Sequence, residues 1–114
     1  DSTDLRLIYA RQRLFTALVR EHLADLGVKT TREGDDLFLK GKKLTVSIAS
    51  TSAVSQKIHF GINISHDIYG NLKEAGIGED KMVASFMQAV GGAYVREFED
   101  IEQDLRKSRP LGVV

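Results

Sequence analysis

The stretch GDDLFLKGKKLTVSIASTSAVSQKIHFGINI, residues 34–64, decides the fold class of this chain. Apolar and polar side chains alternate along it with the period of two that is typical of β-strands. Together with turn-forming residues, this period predicts strands over residues 36–40, 43–50 and 57–65, with a shorter strand over 28–32 ahead of them. The connections are too short for parallel crossovers, so we expect sequence neighbours to pair antiparallel.

The regions on either side of these strands change to a helical period. A first helix is predicted from Leu5 to Leu26 and a second from Glu79 to about Arg106, because apolar residues recur there every three or four positions. Arg11 and His22 lie within the apolar arc of the first helix, where we expect Arg11 to cover the core edge and His22 to have a satisfied hydrogen bond. The expected apolar stripe of the second helix is Val83, Phe86, Met87, Val90, Tyr94, Phe98, Ile101 and Leu105. The fold class is therefore α+β, an antiparallel meander packed against an N-terminal and a long C-terminal helix.

Two of the predicted strands have an apolar and a polar face. If the apolar sets cover the helices, the opposite sets share one polar sheet face. We expect that face to contain Lys43, Thr45, Ser47, Ala49, Lys57, His59, Gly61, Asn63 and Ser65. Its small side chains would form a shallow floor for a ligand, whereas the alternatives are an ordinary solvated face or one covered by another chain.

Composition excludes several classes of protein. The chain has 114 residues, enough for one domain, and no cysteine, which rules out disulfides, thiolate catalysis and cysteine-bound zinc. Its 16 basic and 16 acidic residues balance, which removes the global electrostatic argument for nucleic-acid binding. No apolar run is long enough to span a membrane and the start of the chain has no signal-peptide pattern, so we expect a cytoplasmic protein.

The same stretch, residues 34–64, resembles two groups of proteins. It closely resembles the uncharacterised domain-of-unknown-function family 366, and the likeness extends more loosely from about Leu14 to Arg109. Members of that family are longer, which implies that this single domain, residues 1–114, is a C-terminal portion of a larger protein. The stretch is also similar to the central part of the biotin and lipoate protein ligases, which implies part of their catalytic fold.

The ligase resemblance implies roles for individual residues. Lys43 matches the lysine that binds the carboxyl and phosphate oxygens of the acyl-adenylate, Ser47 matches a serine of the same motif, and Asp36 is implied near the nucleotide or its metal ion. Arg32 stands where biotin ligases have a lysine just before their Asn-Asp pair. ATP with magnesium is implied as a cofactor by the resemblance alone. Whether Asp35 and Asp36 serve a metal or fix the turn stays open.

Two functions follow as expectations. The first is a ligase-like domain that binds an anionic ligand, a nucleotide or an acyl-adenylate, on its polar face. Lys43 would be the catalytic and main electrostatic contact there, with the other ligand-binding residues being Arg32, Asp36, Thr45, Ser47, His59, Gly61 and Asn63. The second is a non-catalytic interaction module that forms a homodimer or packs against a missing segment. The sequence leaves open whether the domain is an enzyme, because resemblance of fold does not establish function.

Overall fold

Two helices and antiparallel strands form an α+β domain, as the sequence predicts, but the strands number five among the described residues where four were expected. The computed structural model describes residues 5–52, 55–66 and 68–107. The elements in chain order are α1 (Leu5–Asp25), β1 (Thr31–Glu33), β2 (Asp36–Leu39), β3 (Lys42–Lys43), β4 (Thr45–Thr51), β5 (Gln56–Ile62) and α2 (Asp80–Lys107). Both helices begin and end within one residue of the predicted positions.

The first three strands form a small meander in the order β1-β2-β3. Its second turn consists of Lys40 and Gly41, whose φ angles of 51° and 79° are both positive. Positive φ at both central positions is the geometry of a type I′ turn, whose twist matches the flanking strands. The turn therefore falls on Lys40–Gly41, with Leu39 paired to Lys42 across it. It lies one residue earlier than residues 41–42, which separate the two predicted strands.

Leu44 interrupts what the sequence pattern predicts as one strand over residues 43–50. It belongs to neither β3 nor β4, and both it and the next residue, Thr45, are fully buried. Two consecutive buried residues are incompatible with the alternation of a continuous strand. The Leu44 N–H donates to the Leu37 carbonyl at 2.8 Å, so the chain bends here and the alternation restarts in β4.

This bend reverses the faces that were expected for β4. Thr45 pairs with Ile62 and Ser47 pairs with Phe60, and directly paired residues share a face. The small residues of β4 thus join the apolar set of β5 beneath the helices, while Val46 and Ile48 are 50% and 61% exposed. The expected common polar face is wrong: Thr45, Ser47 and Ala49 point inward, whereas Lys57, His59 and Gly61 lie on the outer face.

The hydrophobic core lies between α1, the bend and the segment that precedes α2. Its buried members are Val19, Leu23, Val28, Leu37, Leu39, Leu44, Leu72, Ile77, Phe86 and Val90. Both polar residues on the apolar arc of α1 have the expected structural roles. The Arg11 guanidinium lies 5.6 Å from the centre of the Phe98 ring, and His22 Nδ1 lies 2.8 Å from the Leu18 carbonyl oxygen.

Helix α2 is buried over a much shorter stretch than its apolar stripe predicts. Only Phe86 and Val90 are buried in it, while Met87, Ile101 and Leu105 are 42%, 38% and 61% exposed. Its last seven residues are all exposed. The expectation of a continuous core stripe is therefore wrong for the last two turns, where the described residues provide no surface that buries Ile101 and Leu105. In the described part of the chain, neither helix has the length and hydropathy to cross a bilayer.

Candidate functional site

A small cleft opens where β3, β4 and the end of β5 meet the loop that follows β5. Its volume is about 230 Å³, and it is lined by Lys43, Val46, Asn63, His66 and Tyr69. The bend at Leu44 places Lys43 and Val46 on the same cleft, although two residues lie between them. This site, called the Lys43 cleft below, contains two of the residues predicted from sequence, Lys43 and Asn63.

The Lys43 ammonium is the positive charge of the cleft. Its Nζ lies 3.5 Å from Asp36 Oδ2, and the two side chains are 41% and 26% exposed. An ion pair this accessible to water contributes only about 0–1 kcal/mol. Another anion can therefore replace the Asp36 carboxylate at Lys43 at little cost.

Asn63 and the loop hold the cleft walls together through the backbone. The Asn63 N–H donates to the Leu44 carbonyl at 2.9 Å, and the Asn63 carbonyl accepts the Leu72 N–H at 2.8 Å. The Asn63 side chain donates through Nδ2 to the Lys43 carbonyl at 3.4 Å, a long bond. Asn63 therefore connects the bend to the loop, and its weakly held amide can turn to a ligand.

His66 and Tyr69 form the wall of the cleft that the loop after β5 contributes. His66 Nδ1 accepts the backbone N–H groups of Ile68 and Tyr69 at 3.0 and 3.1 Å. A ring nitrogen that accepts two hydrogen bonds carries no proton, so in neutral His66 the proton lies on Nε2. The His66 and Tyr69 ring centres are 4.6 Å apart. The ring N–H and the phenol add two donors to the ammonium and the amide.

The loop that carries this wall is anchored at two points. Asn71 is buried, donates through Nδ2 to the carbonyls of His66 and Tyr69, and accepts the Glu74 N–H at 2.7 Å. Gly70 packs so closely against the meander that a Cβ on it would lie 2.9 Å from the Lys42 carbonyl oxygen. Loop and meander therefore meet without room for a side chain at position 70, which fixes the position of His66 and Tyr69.

Thr45 and Ser47, predicted as ligand contacts, are engaged on the inner face instead. Thr45 Oγ1 accepts the Leu37 N–H at 3.0 Å in a fully buried position. Ser47 Oγ donates to Asp35 Oδ2 at 3.1 Å, and Gln12 Nε2 donates to both of these side chains, at 2.8 Å to Ser47 and 3.0 Å to Asp35. Asp35 is thus held in a polar network under α1, which connects the β1–β2 turn to that helix and to β4.

The other predicted residues lie around the cleft without lining it. Asp36 reaches it through its ion pair with Lys43. Gly61 lies directly across from Val46 on the outer face, and His59 is exposed across from Ile48. Arg32 bonds the β1–β2 turn and does not line the cleft: its Nη1 donates to the Gly34 carbonyl at 2.7 Å.

The structure adds His66 and Tyr69, which the sequence did not mark as ligand-binding residues. The signal available was a histidine followed three residues later by an aromatic residue in a glycine-containing loop after the last strand. Such a pattern is weak, because only the fold shows that the loop turns back towards Lys43.

Nearly the whole chain matches one protein family. The family described as "Domain of unknown function (DUF366)" matches residues 1–109. The chain belongs to this family. The match confirms the resemblance to this family that the sequence indicates. The family description names no activity.

Two relatives of this DUF366 chain come from archaea. An uncharacterized protein of Methanocaldococcus jannaschii is 40% identical over 114 residues, covering 97% of this chain and 51% of that protein. A solved structure of a protein of unknown function from Pyrococcus horikoshi matches with a TM-score of 0.82 at 34% identity, over 96% of this chain and 59% of that one. The chain thus spans about half the length of the relatives it matches. Neither description mentions a ligase.

Proposed function

We propose that this DUF366 domain binds a small ligand through a carboxylate or phosphate group in the Lys43 cleft. The observation that carries the proposal is that residues with one ammonium and three neutral donor groups line one small cavity. The ammonium belongs to Lys43, and the neutral donors belong to Asn63, His66 and Tyr69. A cluster of donors around one positive charge suits an oxyanion, because each N–H or O–H can bond an oxygen.

The resemblance to biotin and lipoate ligases agrees with this proposal at one residue. Lys43 matches the lysine that contacts the acyl-adenylate in those enzymes, and it is the charged residue of the cleft here. Carboxyl activation followed by acyl transfer is the reaction that this likeness implies, and it belongs to the proposal.

ATP with magnesium fits the cleft only in part. The ammonium and the neutral donors suit the phosphates, and magnesium bound to a nucleotide needs only one or two protein carboxylates. Asp36 is the carboxylate beside Lys43, and the described residues contain no cluster of three or more metal-binding side chains. A magnesium ion would thus depend on Asp36 and on the nucleotide itself.

Calorimetric titration with ATP, with and without magnesium, and with biotin or lipoate tests the proposal. We expect heat of binding for at least one of these anions, its loss in Lys43→Ala and its retention in Lys42→Ala. Lys42 is the matched control because it is an exposed neighbour in the same strand and does not line the cleft. Binding should weaken as ionic strength rises, because Lys43 is partly exposed and salt screens exposed charges.

Two outcomes would contradict the proposal. One is the absence of heat with every anion, and the other is equal binding by Lys43→Ala and the wild type. Asp36→Asn separates the two roles considered for Asp36. If its carboxylate only competes for Lys43, the substitution strengthens binding of every anion. If it supports a magnesium ion, the substitution weakens binding of ATP with magnesium alone.

A non-catalytic interaction module is the second candidate function. It is favoured by Val46 and Ile48, because two large apolar side chains at least half exposed on one sheet face are typical of a contact surface. Mass measurement by light scattering tests it. A stable dimer in which Lys43 is inaccessible would support the module over the anion site, and a monomer would oppose the homodimer.

A further inference from the structure

We infer that the outer edge of β5 accepts a further β-strand from the part of the longer DUF366 polypeptides that this chain does not cover. Three observations lead to this edge: the unequal width of the helix and strand layers, the free backbone groups of β5, and the length of the relatives. None of them depends on the Lys43 cleft.

The two layers of the domain have different widths. Packed helices lie about 10 Å apart and paired strands about 4.8 Å apart, so two adjacent helices cover about four strands. The β4–β5 sheet has two strands. Among the described helices and strands, the Cα atoms of α1 come within 8 Å of β4 and β5, whereas those of α2 come that close to α1 and to no strand. The sheet therefore covers one helix and leaves α2 without strands beneath it.

The contacts of α1 show on which side the strands are missing. On one flank, Gln12 bonds Ser47 of β4. On the other flank, the Phe15 ring lies 4.9 Å from Phe60 of β5 and 5.2 Å from Tyr94 of α2, between ring centres. Helix α2 therefore lies on the β5 side of α1. A strand added beside β5 would extend the sheet under α2 and meet its exposed stripe, including Ile101 and Leu105.

The edge of β5 that faces away from β4 has backbone N–H and C=O groups that can pair with such a strand. The Asn63 N–H bonds the Leu44 carbonyl, and hydrogen-bonded pairs alternate along an antiparallel ladder. Lys57, His59 and Gly61 therefore direct their N–H and C=O groups to β4, while Ile58, Phe60 and Ile62 direct theirs away from it. No described backbone group bonds the latter three outside the β4–β5 pair. An unpaired row of this kind is a template for another strand.

The length of the two relatives indicates which polypeptide segment would pair with the edge of β5. The Methanocaldococcus protein is matched over only 51% of its length and the Pyrococcus chain over 59%, so each contains a large part with no counterpart here. A two-stranded hairpin is marginally stable alone and gains stability from additional strands. The remaining part of the same polypeptide is always present at the domain, which makes it a better occupant than a separate protein.

Amide hydrogen exchange tests the inference in two polypeptides, this chain and the full-length Methanocaldococcus relative. We expect the amides at the positions of Ile58, Phe60 and Ile62 to exchange at least about 100-fold more slowly in the relative than in this chain. The amides of Lys57, His59 and Gly61 are the internal control, because they already bond β4. Measurements at several protein concentrations separate pairing within one chain from pairing between copies.

Two results would overturn the inference. One is rapid exchange at the three outer positions in the full-length relative, which would show an unpaired edge there too. The other is protection of these positions that rises with protein concentration in either protein, which would identify a second copy as the occupant. The inference is supported only when the protection in the relative is independent of concentration and at least about 100-fold greater than in this chain.

Discussion

At the scale of single residues, the inner-face network shows why Ser47 serves stability more than ligand binding. Ser47 Oγ bonds both Asp35 and the buried Gln12. We expect Ser47→Ala to lower the free energy of unfolding by about 1–2 kcal/mol, because it leaves the buried Gln12 and the partly buried Asp35 short of a hydrogen bond. Urea denaturation measures this loss. Ser50→Ala, at an exposed position of the same strand, is the matched control and should change little.

Gly70 gives a second prediction at this scale. A methyl group at this position would lie 2.9 Å from the Lys42 carbonyl oxygen and 3.2 Å from Leu39 Cβ. We expect Gly70→Ala to destabilise the domain by about 1–3 kcal/mol, because backbone must move to make room. It should also weaken anion binding, since the loop carries His66 and Tyr69.

The control for Gly70 is Gly91, a helical glycine with open space around its Cβ position. Replacing a helical glycine by alanine stabilises by up to about 1 kcal/mol, so Gly91→Ala should raise the melting temperature. A Gly70→Ala variant as stable as the wild type would contradict the close packing of loop and meander.

At the scale of elements, the bend at Leu44 explains which features the sequence predicted. The helices and the antiparallel pairing follow from local period and connection length, and both are observed. The direction in which the side chains of β4 point depends on whether residues 43–50 form one continuous strand. The prediction assumed that the alternation continues through Leu44, whereas the strand is interrupted there. One residue outside the ladder exchanges the two faces of everything that follows.

The same bend explains why only some of the predicted ligand-binding residues line the cleft. Lys43 and Asn63 lie next to the bend and meet at the cleft, whereas Thr45 and Ser47 follow it and turn inward. His66 and Tyr69 could not be placed, because their position depends on contacts of the loop with the meander. Local pattern therefore predicted the charged centre of the site, and tertiary contacts determined its walls.

The aromatic contacts between α1 and α2 give a prediction about pH. Burial raises the pKa of Tyr94 above its ordinary value of about 10, and the positive charge of Arg11 partly offsets this rise. Between the unfolded and folded pKa values, the folded chain keeps a proton that the unfolded chain has lost. The free energy of unfolding should therefore fall as pH rises above about 10, through the raised pKa of folded Tyr94.

Urea denaturation from about pH 9 to about pH 11 measures this fall. Tyr94→Phe should make it shallower, since phenylalanine cannot ionise. Tyr9→Phe removes an exposed tyrosine from α1 and should leave the fall in place. An equal slope in the wild type and Tyr94→Phe would show that burial of Tyr94 does not contribute.

At the scale of the whole molecule, packing is concentrated at one end of α2. The buried residues Phe86 and Val90 belong to the core, whereas residues 101–107 are all exposed. A helical segment without tertiary contacts depends on weak intrinsic propensity and frays. In this chain, amides of residues 101–107 should therefore exchange at least about 100-fold faster than those of residues 86–92.

Hydrogen exchange monitored by mass spectrometry tests this gradient, with the middle of α1 as the reference for a packed helix. If the C-terminal part of α2 were as protected as its N-terminal part, another surface would have to cover Ile101 and Leu105. Dilution then identifies that surface, because contact with a second copy loosens on dilution and contact within the chain does not. The gradient should disappear in the full-length Methanocaldococcus relative if additional strands lie beneath α2, so exchange along the helix and along β5 must change together.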